Sequence, residues 1–168
     1  MAADQKMQIF RRTDAPGLNE TGLMAIAQMT PEQREGLTKM MKEGYGEGDD
    51  VKVLVNLPGF SLTYAWLKKS YPLLLHSHDS DCLYYIVAGT LQMGTESLGA
   101  GDSFFVPGDS AYSYVPGPEG VEVLEFRHAQ SFDFKNLTKN QAFYDKGAAT
   151  VAAVREDWRT AKRPSMAT

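Results

Sequence analysis

The run Leu73-Leu74-Leu75-His76-Ser77-His78-Asp79-Ser80-Asp81-Cys82-Leu83-Tyr84-Tyr85-Ile86-Val87-Ala88-Gly89 holds two apolar blocks joined by a short polar turn, and it predicts two strands rather than a helix. On an extended segment, side chains two apart share a face, so His76 and His78 present two imidazoles to one site. That is a metal-ligand arrangement, and the chain places two of its three histidines in it. By the same parity Tyr84 shares the inward face of Cys82 and Ile86, which makes it a candidate pocket residue. Asp79 and Asp81 sit at the turn, where acidic residues are common without functional meaning.

Outward from this run, segments rich in Val, Leu, Tyr and Phe recur from Val51 to Arg127, broken by glycine or proline. Strands are expected near Val51–Asn56, Ser61–Lys68, Leu73–Ser77, Leu83–Val87, Thr90–Met93, Ser103–Val106, Ala111–Val115 and Val121–Arg127. No helix-length segment separates them, so the expected class is all-β, a sandwich or barrel rather than βαβ units. Pro116-Gly117-Pro118-Glu119-Gly120 reads as a hairpin turn that sets Tyr112 opposite Leu124. His128 then lies roughly 13 Å further along the strand, which makes it a satisfied histidine near a strand end rather than a ligand.

Upstream, Thr30-Pro31-Glu32-Gln33 combines a capping hydroxyl, a proline at the first helical position and a glutamine three residues after the cap. Leu37, Met40 and Met41 follow at helical spacing, and Gly44 or Gly46 supplies the stop. Residues 1–50 are therefore expected to form an N-terminal helical extension, 51–135 a barrel, and 136–168 a tail packed on the barrel or on a partner. The tail, through Ala148-Ala149-Thr150-Val151 and Arg155-Glu156-Asp157-Trp158, is expected to form a short helix or strand and to end in a few disordered residues.

At 168 residues, 43% of them hydrophobic, the chain is long enough for one buried core and too short for two. The net charge of -4 and the absence of a basic stripe argue against nucleic acid as a partner. No apolar stretch approaches bilayer length, and Met1-Ala2-Ala3-Asp4-Gln5-Lys6 lacks the apolar block of a secretory signal. The single cysteine, Cys82, has no internal disulfide partner, which fits a reducing cytoplasm.

Two motifs resemble those of the cupins, small jelly-roll β-barrels. The first is similar to His76-Ser77-His78, three residues, Cys82, six residues, Gly89. The second is similar to Gly101, five residues, then Pro107-Gly108-Asp109-Ser110-Ala111-Tyr112. The resemblance covers roughly Val51 to Ala129 and implies a cupin-like barrel. It also implies a divalent metal (iron, zinc, manganese, nickel or copper) held inside the barrel at the positions of His76, His78, Cys82 and Tyr112. The family's motif carries a glutamate where this chain has Cys82 and a third histidine where it has Tyr112. A cysteine and a tyrosine bind metal only once their pKa is lowered. The cysteine dioxygenases, one group of cupins, look similar in carrying a cysteine near this position, but their third iron ligand is a histidine.

The leading expectation is thus a cupin that binds a divalent transition metal through His76 and His78 and acts on a small organic molecule, aromatic in one reading. The chemistry expected is dioxygenase-like, or isomerase- or lyase-like. Tyr112 orients or protonates substrate, Cys82 tunes the site as ligand or thiol, and Tyr84 and Tyr112 line the substrate pocket. The alternative is a metal-free cupin that binds or senses a small molecule. A homodimer is expected in either case.

Overall fold

The structure, a computed structural model, describes residues 6–166. In chain order it contains a 3-10 turn (Arg12–Asp14), α1 (Leu18–Thr21), β1 (Met24–Ile26), α2 (Pro31–Glu43) and a second 3-10 turn (Tyr45–Glu47). Then follow β2 (Asp49–Leu57), β3 (Phe60–Leu67), β4 (His76–Ser77), β5 (Cys82–Met93), β6 (Glu96–Gly99), β7 (Ser103–Val106), β8 (Val115–Arg127) and β9 (Phe132–Asn136). The chain closes on α3 (Gln141–Thr160) and a 3-10 turn (Pro164–Met166).

The strands build two sheets. The larger has the order β2-β3-β8-β5-β6, with β7 also paired to β5, and the smaller has the order β1-β9-β4. The sheets are not closed into one hydrogen-bonded barrel, so the expected barrel is realised as two layers with the core and a cavity between them. Gly89 lies inside β5 at a register irregularity and takes φ 75°, a conformation that glycine adopts without steric cost. The two expected strands Leu83–Val87 and Thr90–Met93 are therefore one long strand.

Three further expectations are corrected. Pro116–Gly120 is not a hairpin turn: β8 runs unbroken from Val115, pairing Val115 and Pro116 with Gln92 and Leu91 before it turns onto β3 and the rest of β5. Tyr112 is accordingly not opposite Leu124, whose partners are Tyr64 and Tyr85. The N-terminal extension is not wholly helical, since β1 joins β9 in parallel, Met24 beside Phe132.

The tail is a 20-residue helix rather than a short element. Tyr144, Gly147, Val151 and Trp158 recur at helical spacing on its buried face. Of the residues expected to be disordered, 164–166 form an ordered turn, and 167–168, like 1–5, lie outside the described residues.

The expected helix start is realised: Thr30 accepts from the Gln33 N–H, the Gln33 side chain accepts from the Thr30 N–H, and Gly44 ends the helix. α2 and α3 cross closely and cap the aromatic end of the core, where Tyr45 stacks on Tyr71 at 4.6 Å and Tyr71 meets Trp158 at 5.9 Å. Among the described residues no helix is long and apolar enough to cross a membrane.

Candidate functional site

β4 pairs His76 and Ser77 with Asn136 and Lys135 of β9, and on its other side His76 bridges Tyr112. Beyond β4 the chain bends at Asp79, which is pinned by reciprocal bonds: the Asp79 N–H donates to the Asp133 carboxylate at 2.8 Å and the Asp133 N–H to the Asp79 carboxylate at 2.9 Å. Asp81 accepts from the Gly108 N–H at 2.7 Å. The two turn aspartates thus fix the backbone that leaves the histidines.

The parity argument holds. His76 and His78 are buried with ring centroids 5.0 Å apart, and both line one cavity of about 530 Å³, a volume suited to a small organic ligand. The wall around them is aromatic: His76 stacks on Phe134 at 4.9 Å and His78 meets the edge of Phe132 at 5.1 Å.

Each imidazole is tied at Nδ1 to a backbone carbonyl, His76 to Leu74 at 2.7 Å and His78 to Asp133 at 2.5 Å. A carbonyl only accepts, so Nδ1 carries the proton and each neutral ring keeps an unprotonated Nε2. Neither Nε2 has a hydrogen-bond partner among the described residues. Burial pushes the His76 pKa down to about 4, with the neighbouring His78 and Arg127 adding to the effect against the Leu74 carbonyl and Glu125. Burial and then Arg127 lower that of His78 as well. Both rings are neutral at pH 7.

Tyr112 also lines the cavity, its ring 4.3 Å from that of His76. Its hydroxyl is hydrogen-bonded to that of Tyr84. Tyr84 is not itself on the cavity wall. It is 1% exposed, stacked on Phe104 behind Tyr112. Burial raises both phenols well above their ordinary value, so they serve as neutral hydroxyls. Cys82 points inward, as expected, but stays behind the wall, and burial pushes its thiol up to about 12, so it is not a thiolate at neutral pH. His128 is exposed at the end of β8 and does not reach the cavity.

Two wall residues escaped the sequence reading. Glu125 and Arg127 lie on the inward face of β8, with Glu125 in register with both Thr63 on β3 and Tyr84 on β5. Arg127 is 1% exposed and donates to Glu125 Oε2 at 2.7 Å, while its guanidinium lies 3.9 Å from the centre of the Phe132 ring. Thr63 donates to the same Oε2 at 2.8 Å. Burial alone would raise the Glu125 pKa, but the charge and hydrogen bond of Arg127 with the Thr63 hydroxyl hold it below its ordinary value. The pair is ionised and internally neutral. A signal was present in the sequence: opposite charges two apart on a strand share a face, here the face of the core residues Val121 and Val123.

For a metal, the His76 and His78 Nε2 atoms are the available donors. Among the described residues no three His, Cys, Asp or Glu side chains are grouped to hold a metal ion. Cys82 is a protonated thiol behind the wall, Tyr112 a protonated phenol, and the Glu125 charge is offset by Arg127. Two neutral imidazoles beside a guanidinium do not fit a resident divalent ion held by protein donors alone.

The architecture has close counterparts among solved structures. The polyketide cyclase RemF from Streptomyces resistomycificus superposes with a TM-score of 0.58 at 16% identity, over 88% of this chain and 97% of that one. A protein of unknown function with a cupin-like fold, from Ralstonia eutropha JMP134, gives 0.50 at 18% identity over 91% and 89%. The chain has a cupin-like fold. No protein-family model matches this chain, and no curated protein matches it in sequence.

Proposed function

We propose that this cupin binds a small, largely apolar organic molecule bearing phenolic or enolic hydroxyl groups, and acts on it by proton transfer. The reading rests on one observation: both rings spend their Nδ1 proton on a carbonyl and keep Nε2 as an acceptor at a shared, aromatic-walled cavity. Two neutral acceptors 5.0 Å apart, ring to ring, select donor groups on the ligand. Tyr112 faces them as the hydroxyl that donates to a carbonyl or developing enolate oxygen. One imidazole takes the proton at its free Nε2 and the other holds the hydroxyl in place. RemF, which shares the fold, is described as a polyketide cyclase, and a polyketide carries carbonyl and hydroxyl groups.

A second reading is favoured by the same locked rings. A divalent metal bound at both Nε2 atoms, with the ligand's own oxygens completing its coordination, would supply Lewis acidity at the bound hydroxyl.

Binding of 2-naphthol and naphthalene, followed by thermal shift with and without chelator, separates these readings. The proposal expects 2-naphthol to bind about thirtyfold more tightly than naphthalene, from one hydrogen bond donated to an imidazole Nε2 and one accepted from Tyr112, ~1 kcal/mol each, and chelator to leave this unchanged. The preference should vanish in His76→Phe and His78→Phe. Equal shifts for the two probes in the parent protein reject the proposal, and loss of 2-naphthol binding with chelator selects the metal reading.

A further inference from the structure

β2 carries two aspartates side by side and turns them to opposite faces of the sheet. Asp50, opposite Trp66, faces outward and meets three cations: Arg163 at 2.8 Å, Lys52 at 3.8 Å and Arg12 at 4.0 Å. Asp49 is opposite Leu67, a buried core residue on the cavity wall, and residues paired in this way project to the same side. Its carboxylate therefore stands on the inner face, and Asp49 lines the cavity that holds the histidines. Among the described residues no cation pairs with it, and it accepts only from its own backbone N–H. Lys68, whose charge reaches it, holds its ammonium on the Glu47 carbonyl at 2.7 Å.

Along β2, Val53 lies four residues from Asp49 and opposite Thr63, the residue that donates to Glu125. At about 3.3 Å per residue, Asp49 stands about 13 Å along the strand from the level of the Glu125–Arg127 pair. Arg127 and His78 both lie against the Phe132 ring, so His78 belongs to the far end of the cavity. Val51 and Ala65, paired between the two ends, are apolar and line the wall. At the Asp49 end, Tyr45 and Tyr71 stack on each other, line the cavity and feel the Asp49 charge. The cavity thus has two polar ends joined by an apolar middle.

An unpaired charge on the inner face of a sheet lowers stability, and groups of that kind gather where a ligand completes the pairing. We propose that Asp49 receives a protonated amine, so that the ligand is an elongated molecule with an ammonium at this end and a hydroxyl at the other. The hydroxyl end rests on the function proposed above, whereas the ammonium end rests on Asp49 alone. An ionised carboxylate only accepts hydrogen bonds, and a cationic donor matches its charge where a neutral donor does not. Aromatic rings beside the carboxylate add to the attraction for an ammonium. The protein's own cations neutralise Asp50 on the outer face, and the inward Asp49 is left to the ligand.

Binding of 2-naphthaleneethylamine and 2-naphthaleneethanol, probes of equal length, tests this at pH 7. The amine should bind the parent protein about tenfold more tightly than the alcohol, through a charge-assisted hydrogen bond. In Asp49→Asn, whose near-ultraviolet circular dichroism should match the parent, the two should bind equally. In His78→Phe the preference for the amine should persist although that for 2-naphthol over naphthalene is lost. Equal binding of amine and alcohol to the parent overturns the proposal, whatever the 2-naphthol comparison gives, as does a preference that survives in folded Asp49→Asn. An amine preference that needs Asp49, found where 2-naphthol and naphthalene bind equally, supports the ammonium end and rejects the hydroxyl end alone.

Discussion

His76 and Tyr112 face each other across an isolated antiparallel bridge: the His76 N–H donates to the Tyr112 carbonyl at 3.1 Å and the Tyr112 N–H to the His76 carbonyl at 3.0 Å. Residues paired in this way project to the same side, so the bridge delivers an imidazole and a phenol together to the cavity, rings 4.3 Å apart. The acceptor and the donor of the site therefore share one piece of backbone geometry.

Removing the Glu125 carboxylate should be among the costliest single changes in the protein. Glu125→Ala leaves the Arg127 charge at 1% exposure without its counter-ion, a loss of about 3–5 kcal/mol. Glu125→Ala combined with Arg127→Met should recover much of it, because no charge is then buried. Urea titration of the two variants checks this, and additive losses would contradict the pairing.

Acidification should destabilise the fold through His76. Its folded pKa of about 4 lies below the unfolded value near 6.5, so the unfolded chain binds more protons in that window and stability falls as pH drops from about 6.5 to about 4. The contribution is roughly 3 kcal/mol and is fully present above pH 6.5. In chelator-treated protein, His76→Leu should flatten the pH dependence of the urea midpoint by about that amount.

Asp49 works with the opposite sign. Burial pushes its pKa up to about 6, against a small lowering by its own backbone hydrogen bond, so the folded state binds the extra proton between about pH 4 and 6 and stability falls as pH rises through that range. At pH 7 the ionised, desolvated carboxylate is a net cost, and Asp49→Asn should stabilise the protein by about 2 kcal/mol. At pH 4 the difference should disappear, which calorimetry at the two pH values will show.

The crossing of α2 over α3 depends on the absence of a side chain at Gly36. A Cβ there would meet the Tyr144 ring at 2.3 Å, and Tyr144 is fully buried. Gly36→Ala should cost about 3 kcal/mol by overpacking and lower the melting temperature by about 10 °C, despite the better helix propensity of alanine. A variant as stable as the parent would show that the helices separate freely.

Much of this was legible in the chain. The Thr30 capping box, the strands around β2, β3 and β7, and the shared face of His76 and His78 follow from short-range rules of periodicity, capping and parity, which act within a few residues. The long helix α3 was present in the Asn140 cap and in the spacing of Tyr144, Val151 and Trp158, but its central glycine, Gly147, interrupts the pattern. β1 and β9 were missed because three- and five-residue strands carry little pattern of their own and are defined by their partners.

What the sequence by itself determined is the two imidazoles on one face and the sheet-rich scaffold behind them, because parity and apolar patterning are properties of the local backbone. Which groups stand opposite the imidazoles was decided only by tertiary structure: Tyr112 through its bridge to His76, Phe132 and Phe134 through β9, and the Glu125–Arg127 pair through β8. Strand pairing joins residues dozens of positions apart, and a register is chosen by the burial energy of the whole face rather than by any residue within it.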